Sequence, residues 1–202
     1  MKCIKIILPV FLLCTAQVLY AQNEDPAYAF INEGLPAIEF GKSHWGIFLL
    51  NQPVYPDAVS AAKILESSSG TVPPATRQEL YEGLLQLNQK DAPVQKWQQA
   101  RLKNWVLVAD TKTRISLAAA DSLLDKNKNH AQVRRWIDTW NKTKIKNRLV
   151  NFMSIPIFSK DGNYVLIYRG QHMQGQGWDC IYIYHAVNTS WELADKIVLS
   201  QI

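Results

Sequence analysis

The sequence predicts an α+β domain in which N-terminal helices are followed by a C-terminal antiparallel sheet of about four strands packed on them. Three observations carry this prediction. Val133, Trp136, Ile137 and Trp140 fall at i, i+3, i+4 and i+7, one face of a helix. After Trp140 the apolar period changes from helical to alternating and stays so to the C-terminus. The links 159–163, 173–177 and 187–190 are short and rich in turn formers, which makes successive strands antiparallel neighbours. Helices followed by a strand meander belong to the α+β class, with one sheet face on the helices and the other free.

In chain order, residues 1–21 have the form of a secretory signal peptide. Lys2 and Lys5 accompany an apolar run from Ile6 to Leu19, which closes on Leu19-Tyr20-Ala21 before Gln22-Asn23-Glu24-Asp25. A membrane span needs about 20 continuous apolar residues, whereas this run is shorter and contains Pro9 and Gln17. Leu13 is bulkier than the small residue that precedes a lipidated cysteine, which argues against attachment at Cys14. Of the 22 basic residues two lysines lie in this segment, leaving 20 against 17 acidic ones. Of the three cysteines only Cys180 remains, so packing without an intrachain disulfide must hold the fold.

Residues 22–42 read as an irregular lead-in with one short helical turn, interrupted by Pro26, Gly34, Pro36 and Gly41. The rest, 43–202, reads as a single α+β domain, helical over about 43–141 and sheet over about 148–200. The apolar run 45–50 fits either helix or strand. Residues 57–66 read as a helix and 67–74 as a loop. Thr76-Arg77-Gln78-Glu79 is a capping-box pattern that opens a helix with Leu80, Leu84 and Leu87 on one face. A further helix from about Pro93 would carry Val94, Trp97, Leu102, Trp105, Val106 and Ala109 inward, although 105–108 also suits a strand. Two more helices are predicted over 115–126 and 130–140, and strands near 149–158, 164–169, 178–186 and 191–199.

Pro156-Ile157-Phe158-Ser159-Lys160-Asp161-Gly162-Asn163-Tyr164, followed by Gly175-Gln176-Gly177, an aromatic strand and Trp191, resembles the C-terminal sheet of uncharacterised exported proteins of Gram-negative bacteria. The resemblance covers about residues 154–199. It implies an exported location and an antiparallel sheet module, and it brings no assigned activity.

The chemistry-bearing residues are few. Cys180 with His172, and with Asp179 and His185 nearby, is the most reactive cluster the strands can assemble, since an imidazole beside a thiol can generate thiolate. Alternation puts Cys180 with Trp178, Tyr182 and Tyr184 on one face, and His185 with Asp179 on the other. The competing reading of Cys180 is a packed thiol. His44, His130, His172 and His185 lack zinc-site spacing, and no metal or cofactor is expected. No serine-nucleophile elbow, phosphate loop or dinucleotide fingerprint occurs. Gly175 and Gly177 read as hairpin-turn glycines.

Basic residues concentrate at Lys126, Lys128, Arg134, Arg135, Lys142, Lys144, Lys146 and Arg148, against Asp138 alone. Extended backbone would line Lys142, Lys144, Lys146 and Arg148 along one side as an anion-binding ridge, and a solvated connection is the plainer alternative. Trp178, Tyr182 and Tyr184 form an aromatic strip suited either to a ligand or to the core against Trp136 and Trp140.

These observations lead to an exported, periplasmic or secreted, non-catalytic protein that binds a ligand or partner through its sheet face or basic ridge. The alternative is a cysteine-dependent hydrolase or transferase using Cys180 and His172. A small ligand, an exported protein and an anionic surface remain open as partners. No nucleic-acid signal and no membrane span after signal cleavage are expected.

Overall fold

The computed structural model describes residues 25–35, 48–67, 70–89, 96–103, 105–116, 130–173 and 176–201. The predicted signal peptide, His44, Lys126, Lys128, Gly175 and nearly all of the helix predicted over 115–126 lie outside them. None of the described helices is long and apolar enough to cross a membrane.

Over its described residues, 25–35, the lead-in is more ordered than predicted. Helix α1 (Pro26–Ala29) passes directly into a π-helical turn, Phe30–Gly34. Pro26 sits in the first turn, where a missing N–H leaves no gap, and the Asp25 carboxylate accepts from the Ala27 N–H at 3.0 Å. Tyr28, Phe30 and Ile31 are buried, so tertiary burial holds a segment whose periodicity alone is poor.

The described part of the apolar run 45–50 is strand β1 (Phe48–Leu50). Helix α2 (Ala58–Glu66) starts at Asp57, which accepts from the Ser60 N–H at 2.8 Å. Helix α3 (Pro74–Leu87) begins two residues before the predicted Thr76 cap, because Pro74 suits the first turn. Glu79 is thereby released from the capping box and accepts the Lys160 N–H at 2.6 Å, tying α3 to the turn after β4.

The helix predicted from Pro93 does not form over the described residues. Residues 96–98 are irregular, Gln99–Arg101 is a 3₁₀ turn, and Val106–Val108 is strand β2. Gln99 explains the path: its amide donates to Trp105 O at 2.7 Å and accepts from Leu107 N at 2.8 Å, which fastens the turn to the strand. Trp97, Leu102 and Trp105 are nevertheless buried.

Helix α4 (His130–Lys142) matches the 130–140 prediction and buries Val133, Ile137 and Trp140. A 3₁₀ turn, Ile145–Asn147, leads to β3 (Val150–Met153), β4 (Ile157–Phe158), β5 (Tyr164–Met173), β6 (Gln176–Val187) and β7 (Ser190–Gln201). The predicted strand over 149–158 is split because Pro156 has no N–H to give the ladder. Buried Ser154 bridges the break: its N–H donates to Tyr168 O at 2.7 Å and its hydroxyl accepts from Tyr168 N at 3.0 Å.

Among the described residues the sheet has seven strands in the order β2-β1-β3-β5-β6-β7, with β4 also on β5. It is mixed rather than purely antiparallel, because β1 pairs parallel with both β2 and β3. Parallel partners lie far apart in sequence, so two three-residue strands inside the helical half leave no local hairpin signal.

Both faces of the sheet are covered, which corrects the predicted free face. On one, Val165, Ile167, Cys180, Tyr182 and Tyr184 meet Tyr28, Phe30, Ile31, Trp97 and Trp105. On the other, Leu166, Tyr168, Ile181 and Ile183 meet Ala61, Ile64, Leu80 and Leu84 of α2 and α3. Helix α4 covers Phe48, Val106, Val108 and Val150 with Val133, Ile137 and Trp140. The central parts of β5 and β6 are apolar at both parities, the pattern of strands buried on two sides.

Candidate functional site

Strands β5 and β6 reach beyond the helices at their hairpin end. Near Gly170 and Asp179 the paired rows change from fully buried to partly exposed. Two glycines let the strands approach closely there. A Cβ on Gly170 would collide with the Trp178 carbonyl and stand 2.5 Å from the Phe152 ring, and one on Gly177 would stand 2.5 Å from Gln171 O. Gly177 is therefore a strand residue opposite His172 rather than a turn residue.

At this end lies a cleft of about 310 Å³ bounded by Phe152, Gln171, His172, Gln176, Gly177, Trp178, Asp179 and Ser200. Asp179 is held in place by two hydroxyls. Tyr168 donates to Oδ2 at 2.8 Å, and Ser200 donates to Oδ1. Burial and the bond to Asp179 push the Tyr168 phenol well above its ordinary range, so it stays a donor. Trp178 is oriented by a chain of amides. Its indole N–H donates to Gln171 Oε1 at 3.3 Å, Gln171 donates to Asn151 Oδ1 at 2.9 Å, and buried Asn151 donates to Phe48 O at 2.8 Å. The cleft thus joins the Phe152 ring, the His172 imidazole, a positioned carboxylate and a hydroxyl, whereas the Trp178 and Gln171 side chains, one row out of step with Asp179 and His172, lie on the opposite face of the strands.

The predicted thiol site does not assemble. Arg169 pairs with Cys180, and His172 pairs with Gly177, so strand alternation puts His172 and Cys180 on opposite faces. Cys180 is 3% exposed, its thiol is pushed up by burial, and it hydrogen-bonds Tyr182. A buried neutral thiol without an imidazole beside it is a core residue. His185 lies toward the far end of β6, stacked on Tyr164 at 4.7 Å. Among the described residues no three His, Cys, Asp or Glu side chains converge as a metal site.

The aromatic strip divides. Trp178 borders the cleft, whereas Tyr182 and Tyr184 are each 2% exposed and face α1 rather than Trp136 and Trp140. Tyr182 stacks on Tyr184, and the Arg169 guanidinium lies 4.1 Å from its ring centroid. Trp140 instead meets Phe48 at 4.3 Å.

The basic ridge is also rebuilt. Lys142 ends α4, Lys144 precedes the 3₁₀ turn and Lys146 lies within it; all three are exposed. Arg148 is 3% exposed and points inward, where it donates to the carbonyls of Thr111, Thr113, Asn141 and Thr143. An extended ridge cannot form because the backbone turns helically at Ile145, and Arg148 is consumed as a clamp.

Gln171 and Ser200 had no place in the sequence-derived site. Their link to Asp179 and Trp178 follows from the register of β5, β6 and β7, which a hairpin length alone leaves undetermined. No family model, curated protein or solved structure is similar to this chain.

Proposed function

We propose that this chain is an exported binding protein without a catalytic role, which takes a small ligand bearing hydroxyl or amide groups at the hairpin end of its sheet. The observation that carries this reading is the cleft bounded by Phe152, His172, Gly177, Asp179 and Ser200, in which Tyr168 and Ser200 hold the Asp179 carboxylate in place. A prepositioned carboxylate beside an aromatic ring binds without first losing side-chain entropy. Export rests on the form of residues 1–21.

The test is tryptophan fluorescence and calorimetric titration of the purified protein against neutral saccharides, amides and short peptides. His172→Ala and Asp179→Asn should each abolish or weaken by at least about ten-fold a saturable response, as hot-spot contacts do. Catalytic turnover that a single substitution removes, or binding unaffected by both variants, would refute it.

A further inference from the structure

A second surface shares no lining residue with the cleft. Arg148 stitches the loop carrying Thr111 and Thr113 to the end of α4, so that Lys112, Arg114, Lys142, Lys144 and Lys146 are exposed around one clamped corner. Arg114 is near enough to Arg148 to repel it. The acidic neighbours are engaged: Asp138 pairs with Lys142 at 2.6 Å, and Asp110 accepts the Lys112 and Thr113 N–H groups. Among the described residues neither Lys144 nor Lys146 has an ion-pair partner.

Between those two lysines stands Ile145, 50% exposed at the start of the 3₁₀ turn. A polyanion such as a sulfated or phosphodiester chain offers that side chain nothing. A lipid surface offers both phosphates for the ammonium groups and an acyl boundary for the isoleucine, while lysine stems lie along the apolar layer. We propose that the turn following α4 docks on an anionic phospholipid surface, with Ile145 entering the acyl boundary and Lys144, Lys146 and Arg114 meeting the headgroup phosphates.

The experiment is co-sedimentation of the purified protein with phosphatidylcholine vesicles with and without phosphatidylglycerol, at low and high salt. Binding is expected only with phosphatidylglycerol and should fall as salt screens it. Lys144→Gln with Lys146→Gln should weaken it about 25-fold, roughly five-fold per lysine. Ile145→Ser should weaken it about five-fold, and all three positions are exposed enough to leave the fold intact. As a gain of signal, the emission of I145W should shift to the blue with phosphatidylglycerol vesicles and not with inorganic polyphosphate. Equal binding to both vesicle types, unchanged binding of the double variant, or I145W emission that ignores bound vesicles would each overturn the proposal. Binding to polyphosphate that competes with vesicles but does not depend on Ile145 would assign the corner to polyanions and overturn it equally.

Discussion

Arg77 and Asp195 form the contact whose removal tests the fold most sharply. Arg77 Nη1 stands 2.9 Å from Asp195 Oδ2, with side chains only 5% and 8% exposed. The same guanidinium donates to Ile64 O and Val72 O, each at 3.2 Å, while the Ser67 hydroxyl donates to Asp195 at 2.7 Å. One charge pair thus binds the end of α2, the start of α3 and strand β7. Asp195→Ala leaves the guanidinium buried without its carboxylate, which costs about 3–5 kcal/mol, against less than about 1 kcal/mol for an exposed pair. For a domain of this size each kcal/mol is about 2–4 °C, so the melting temperature should fall by roughly 6–20 °C. Urea unfolding followed by circular dichroism gives the free energy directly. Arg77→Met combined with Asp195→Leu should recover most of the loss, since an apolar pair removes the stranded charge. A loss below about 1 kcal/mol in Asp195→Ala would refute the reasoning.

Two further outcomes follow from the core. Cys180 should react with iodoacetamide only on unfolding, from about pH 5 to 9, because burial both excludes the reagent and disfavours thiolate; rapid labelling of the folded protein would contradict its placement. Stability should decline in alkali: Cys180 is raised from 9.0, and Tyr182 is raised from 10.0 to about 12, mainly by burial. Between the unfolded and folded values the unfolded chain loses the proton first, so the contribution is whole below about pH 9 and lost as pH rises toward 12. Flat urea midpoints from pH 8 to about 11 would contradict this.

Some of the molecule was legible in one dimension. The α4 pattern of Val133, Ile137 and Trp140, the Asp57 start of α2 and the turns bounding β5, β6 and β7 are local signals, because helix period, side-chain capping and turn chemistry act within a few residues. Asn188, at φ 55° in the turn between β6 and β7, shows the same local logic, since asparagine tolerates the left-handed region.

What depended on distant partners was not legible in this way. Strands β1 and β2 are three residues each and exist through parallel pairing between segments far apart in sequence. The cleft likewise needs the register that sets Gly170 opposite Asp179 and His172 opposite Gly177, and one residue of slip would exchange the two faces. Sequence alone determined the α+β class, the apolar rows and the basic bias of 126–148, because composition and period express each residue's own preference. Tertiary structure alone decided that Cys180 and His172 part company, that Arg148 turns inward, and that Asp179 meets Tyr168 and Ser200, because each outcome is set by which distant backbone lies alongside.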